Sequence, residues 1–173
     1  MKQHHILQQR IASPLGWLTA TRSARGISGL WFDGQKHHPG ALDLPLAAGD
    51  PLLSEVEHAL ATYFQGQVLP AALLRRLDPQ GTPFQRAVWQ ALLAIPPGAS
   101  DSYGGLARRV GRPLAARAVG ASVGRNPVSI LIPCHRALGA AGQLTGYAGG
   151  LDRKIALLRL EGAHFSTATP AAA

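Results

Sequence analysis

A chain of 173 residues, 46% hydrophobic and 15% charged, holds enough apolar material for a packed core and has room for one or two domains. Its single cysteine excludes an internal disulfide, no stretch reads as a signal peptide or a membrane span, and a reducing, cytoplasmic setting is expected. The net charge of +8 is lopsided, since residues 1–80 hold seven Lys+Arg against six Asp+Glu whereas residues 81–173 hold ten against three. Nine of those ten cations are arginine, whose planar donors suit phosphate, so a polyanionic partner for the second half is inferred over a merely solvated basic face.

The first third alternates apolar segments with turn signals: Ile6 to Ile11, Ser13-Pro14, Leu15 to Ala20, Ser23 to Gly26, then Ile27 to Phe32. This spacing predicts a small antiparallel sheet. His37-His38-Pro39-Gly40 reads as a loop; with His4 and His5 it offers four imidazoles but no recognised ligand spacing, so no metal is expected. Asp50-Pro51 supplies an N-cap and a first-turn proline for a helix whose apolar positions Val56, Leu60, Tyr63 and Phe64 run up to Gly66. Leu73 to Leu77 is compatible with a returning strand. Composition and charge both shift at Asp78-Pro79-Gln80-Gly81, the expected boundary between an α+β domain over residues 1–80 and a second domain over 81–165.

Thr82-Pro83-Phe84-Gln85 is a capping-box pattern, and Phe84, Val88, Ala91 or Leu92, and Ile95 form the stripe of the helix behind it. Pro96-Pro97-Gly98 ends that helix. Tyr103, Leu106, Ala107 and Val110 mark a shorter one stopped by Gly111, and a third is expected from Pro113 toward Asn126-Pro127. Two short helices joined by Gly111-Arg112-Pro113 suggest helix-turn-helix. The third helix carries mostly Ala, Gly and Ser with one early arginine, Arg117. An ordinary helix is about 10 to 12 Å across, whereas the minor groove of B-DNA is only about 6 Å wide. A helix stripped of bulk suits that groove, or else close helix packing in a core; Arg117 favours nucleic acid. Gly139 to Gly142 reads as a hairpin and Tyr147-Ala148-Gly149-Gly150 as a flexible loop. A last helix carries Leu151, Ile155 and Leu158 on one face, widened by Leu157 and Leu160 and closed by Glu161-Gly162, before a disordered tail over 166–173.

The chemical centre is expected in Ile130-Leu131-Ile132-Pro133-Cys134-His135-Arg136, where the only cysteine stands beside a histidine and two residues before an arginine. A base and a cation beside a thiol are what a reactive thiolate needs; the alternative is a buried cysteine packing as a small hydrophobe.

Arg117-Ala118-Val119-Gly120, Asn126-Pro127, Ile132-Pro133-Cys134-His135-Arg136, Gly146-Tyr147-Ala148-Gly149-Gly150 and Leu157 to Gly162 follow one another in the order and spacing of a known family. From about Thr82 to Gly162 the chain resembles the O6-alkylguanine-DNA alkyltransferases, and Pro14-Leu15-Gly16 and Tyr63-Phe64-Gln65-Gly66 extend the likeness. The resemblance implies an α+β protein: an N-terminal ribonuclease-H-like domain without that activity, then a mostly helical, winged helix-turn-helix-like domain carrying the active site. It implies single-turnover transfer of an alkyl group from O6-alkylguanine to Cys134. The catalytic set it implies is Cys134, His135, Glu161, Asn126 and Tyr103. Arg117, Ala118, Gly120, Ala121, Arg125 and Arg136 would face DNA, and Tyr103, Ala137, Tyr147 and Ala148 would hold the flipped base.

Adjacent residues on an extended chain point to opposite faces, so His135 is expected to reach Cys134 through a water. No cofactor is implied; the partner is duplex DNA containing O6-alkylguanine, with self-association along DNA left open and no membrane. Asp101, Ser100 and Ala137 depart from the family pattern, Asp101 by placing negative charge near the expected DNA face. Other readings are an alkyltransferase-like protein that binds damage without chemistry, against which Cys134 argues; a cysteine hydrolase, which lacks support elsewhere in the chain; and a winged-helix regulator.

Overall fold

The computed structural model describes residues 4–167. The chain divides into two compact units, one running up to Gln80 and including Pro127–Leu131, the other Gly81–Asn126 with Ile132 onward. The backbone therefore leaves the second unit for five residues, Pro127 to Leu131, and re-enters it at Ile132, two residues before Cys134.

In the first unit, β1 (Leu7–Ile11), β2 (Leu18–Arg22) and β3 (Ile27–Phe32) form an antiparallel sheet in the order β1-β2-β3, with Ile11 opposite Leu18 and Leu18 opposite Phe32. β3 is buried along its whole length, so its residues are apolar or small rather than alternating. Helix α1 (Pro51–Tyr63) packs on β1 and β2 and buries Leu52, Leu53, Val56, Ala59, Leu60 and Tyr63. Its start is fixed as expected: the Asp50 carboxylate accepts from Leu53 N–H at 3.0 Å, and Pro51 occupies the first turn.

The strand expected over Leu73 to Leu77 is instead a short helix, α2 (Ala71–Leu74), followed by a single parallel bridge from Leu77 to Ile27. Pro70 accounts for the difference: it sets an extended N-cap and lets Leu73 N–H and Leu74 N–H turn back onto its carbonyl. The histidines at the start of the chain are engaged locally. His4 pairs with Asp78 at 2.9 Å, and His5 Nδ1 lies 2.7 Å from Ser28 Oγ and 3.0 Å from Thr21 Oγ1.

Pro127–Leu131 lies along the end of β3: Leu30 N–H donates to the Pro127 carbonyl at 2.9 Å and Ser129 N–H to the Leu30 carbonyl at 2.8 Å. The run does not continue as a strand, because Ile130 sits at φ 69°, a left-handed conformation that costs a β-branched residue of order 1–3 kcal/mol. Burial of Val128, Ile130 and Leu131 offsets that strain.

The second unit is built on α3 (Pro83–Leu93), α4 (Tyr103–Arg109), α5 (Ala116–Gly124) and α6 (Leu151–Leu160), with a two-residue parallel pair, β4 (Asp101–Ser102) and β5 (Ala137–Leu138). The capping box at Thr82 and Gln85 is formed in both directions. α3 buries Val88, Trp89 and Leu92 and packs on α4 and α5, and Trp89 Nε1 donates to the Ser122 carbonyl at 2.9 Å. α4 ends at Gly111, whose φ of 69° suits glycine, and α5 begins at Ala116, three residues later than Pro113 suggested.

Gly139 to Gly142 forms a hairpin turn as expected: Gly142 N–H donates to the Gly139 carbonyl at 3.0 Å, Gly139 N–H donates to the Gln143 carbonyl at 2.9 Å, and Gly142 sits at φ 72°. Ser166, expected in a disordered tail, bridges to Gln143; the rest of that expectation, from residue 168 on, lies outside the described residues. Among the described residues no helix is long and apolar enough to cross a membrane.

Candidate active site

Cys134, His135 and Arg136 form one turn of 3-10 helix, and all three are buried. The extended backbone expected here is therefore corrected: Pro133 closes a tight turn, with Arg136 N–H donating to its carbonyl at 3.0 Å. Asn126 holds the sulfur. Its Nδ2 donates to Cys134 Sγ at 3.1 Å and to the Ile132 carbonyl at 2.9 Å, which ties the side chain before Pro127 to the turn that carries the thiol.

His135 Nε2 lies 2.9 Å from Glu161 Oε1, and neither side chain is more than 2% exposed. Arg136 grips the same carboxylate with two parallel bonds, Nε to Oε2 at 2.9 Å and Nη2 to Oε1 at 2.8 Å, and its Nη1 donates to the Ile95 carbonyl. Burial disfavours an imidazolium, and Arg136 already balances the carboxylate charge, so His135 is held below its ordinary 6.5 and is neutral at pH 7. With its Nε2 proton on Glu161, the lone pair lies on Nδ1, a buried atom with no hydrogen-bond partner among the described residues.

Lys154 is the residue that sequence reasoning missed. Fully buried, it donates from Nζ to the Ala137 carbonyl at 2.6 Å and, at a longer 3.4 Å, to the Thr145 carbonyl. Burial lowers its pKa to about 8, a fall that Cys134 opposes once it is a thiolate. For Cys134 burial pushes the thiol up, while the Asn126 hydrogen bond and the Lys154 charge pull it down. α6 buries Lys154, Leu157 and Leu158 and leaves Leu151 exposed, so its inward stripe is rotated from the expected Leu151, Ile155 and Leu158. The available signal was the helical spacing of Lys154 with Leu157, Leu158 and Glu161.

Tyr103 begins α4, with its hydroxyl 2.8 Å from Thr145 Oγ1; burial raises its pKa, which the Thr145 bond opposes. A Cβ placed on Gly120 of α5 would lie 3.7 Å from the Tyr103 ring, an ordinary contact, so α5 runs beside that ring with room for a methyl between them. Tyr147 and Ala148 lie half-buried in the loop that follows Thr145, and Ala137 is buried with its carbonyl engaged by Lys154. Of the residues expected to face DNA, Arg117, Ala118, Ala121 and Arg125 are exposed and Gly120 is half-buried.

Arg136 is the exception and is corrected: only 5% exposed, it is turned inward to Glu161. Asp101 is partly sheltered and paired with Arg109 at 2.6 Å, so its charge is balanced within the unit. Its carboxylate fills the space where a side chain on Gly105 would stand.

A two-unit α+β protein built around one supported, buried thiol is the class this geometry defines. A family profile described as the DNA-binding domain of 6-O-methylguanine DNA methyltransferase matches residues 83–163. A relative from Mycobacterium leprae, named methylated-DNA--protein-cysteine methyltransferase, is 44% identical over 86% of this chain and 88% of its own length. Another of that name, from Salmonella typhimurium, is 43% identical over 91% and 96%. The crystal structure of Mycobacterium tuberculosis OGT in complex with DNA superposes with a TM-score of 0.82 at 41% identity, covering 91% of this chain and 93% of that one. The chain belongs to the methylated-DNA--protein-cysteine methyltransferase family.

Proposed function

We propose that this protein repairs DNA by direct reversal, taking the alkyl group of an O6-alkylguanine onto Cys134. The Cys134 sulfur attacks the alkyl carbon, an S–C bond forms as the C–O6 bond breaks, and the bonding pair stays on the base. The observation that carries this reading is the Cys134 sulfur held by Asn126 beside a neutral His135 locked to Glu161.

At rest the thiol keeps its proton, because burial outweighs its stabilising neighbours. His135 Nδ1 accepts that proton through one water, Glu161 stabilises the imidazolium that results, and Lys154 favours the thiolate. A thioether is a poor leaving group, so each molecule acts once.

Duplex DNA hides the target base, which must be flipped out to reach the sulfur. The exposed small residues of α5 suit the minor groove, Arg117 fills the vacated stack, and Tyr103 donates a proton toward the departing guanine. Tyr147, Ala148 and Ala137 line the base pocket. The sheet with α1 is read as a ribonuclease-H-like domain without that activity, and α4 and α5 with the β4–β5 pair as a winged helix-turn-helix. A free thiol suits a reducing, cytoplasmic compartment.

Labelled O6-methylguanine in duplex DNA tests the reading: about one methyl is expected per protein molecule, and Cys134→Ala should abolish transfer while keeping DNA binding. Release of label beyond one equivalent would refute the single-use acceptor.

A further inference from the structure

We propose that Thr145 is a positioning residue for the transfer step, its hydroxyl aiming the Tyr103 hydroxyl at the base. The proposal rests on reading Tyr103 as the proton donor.

Thr145 Oγ1 lies 2.8 Å from the Tyr103 hydroxyl, and the carbonyl of the same residue accepts from Lys154 Nζ at 3.4 Å. One residue therefore touches both groups whose charge is coupled to Cys134. Each hydroxyl has a single hydrogen. When Thr145 donates, the Tyr103 oxygen accepts and its own hydrogen is free to point elsewhere.

As the S–C bond forms, the Tyr103 proton moves to the base, which carries the electron pair left by the alkyl group. The phenolate oxygen then keeps the Thr145 hydrogen bond until solvent returns its proton. Burial alone makes a phenol a weaker acid, and the Thr145 bond works against that.

Thr145→Val keeps the shape and removes the hydroxyl; Thr145→Ser keeps the hydroxyl. Single-turnover transfer from duplex O6-methylguanine is expected to slow about tenfold in Thr145→Val, the effect of one lost hydrogen bond, and to recover in Thr145→Ser. Alkylation of Cys134 by iodoacetamide needs no proton for a guanine leaving group, so it should stay unchanged in Thr145→Val. Equal slowing of both reactions would overturn the proposal, because Thr145 would then support the thiol or the fold. Tyr103→Phe separates the two readings. If it slows transfer while Thr145→Val does not, Thr145 is excluded and the Tyr103 donor stands. If Tyr103→Phe transfers at the full rate, the donor reading falls and Thr145 falls with it.

Discussion

Arg136 and Arg117 carry the same charge in the same unit and do opposite work. Arg136 is buried, with its guanidinium bonded to Glu161 and Ile95, whereas Arg117 stands exposed near the start of α5. A count of arginines treats both as contributions to a basic face. The structure separates them by what each cation finds within reach: a carboxylate already out of water for Arg136, solvent for Arg117. Charge that is matched inside a protein holds a site together, and charge left outside is available to phosphate.

The contrast between the two arginines is tested most severely at the shared carboxylate. Glu161→Gln should slow methyl transfer by at least about a hundredfold, since it takes away the group that orients His135. A near-normal single-turnover rate would contradict that role. Arg136→Met should lower stability by about 3–5 kcal/mol in urea unfolding, because it leaves Glu161 buried without its cation. It should leave the salt dependence of DNA binding unchanged; a shallower slope would return Arg136 to the DNA face.

Arg117→Ala should do the reverse, with stability changed by no more than about 0.5 kcal/mol and flipping impaired, read from a fluorescent base analogue at the target position. For Arg125→Ala the expected loss is about 0.9 in the log-log salt slope if it meets one phosphate. The smallest effect concerns pH. Iodoacetamide labelling of Cys134 should rise with pH, as a thiol pushed up by burial requires, and Lys154→Met should move the midpoint higher. A midpoint unmoved by that change would mean Lys154 serves only the Ala137 and Thr145 carbonyls.

Much of this organisation is legible in the sequence where local chemistry decides it. Asp50-Pro51, the Thr82 capping box and Gly111 mark helix ends because caps and positive-φ positions depend on a few neighbouring residues. Cys134 and His135 stand out in the sequence as the only cysteine and the base beside it, Asn126 and Glu161 through the family resemblance, and the fold brings the four together in two hydrogen-bonded pairs on one turn. Lys154 and the inward turn of Arg136 are not legible there. Both depend on burial of a charged side chain by tertiary packing, and a lysine or arginine on a helix or turn is by default read as exposed. Leu73 to Leu77 marks a related limit: an apolar run reads as a strand until a neighbouring residue, here Pro70, caps a helical turn in its place.

The Asp101 carboxylate occupies the space beside Gly105 that any side chain there would need. Change at these two positions consequently has an order. Replacement of Gly105 must wait until Asp101 has become smaller or turned away, whereas Asp101 can shrink at once, releasing Arg109 and the Ser102 N–H from its carboxylate. The departure at residue 101 thus restricts which later substitutions the first turn of α4 can accept.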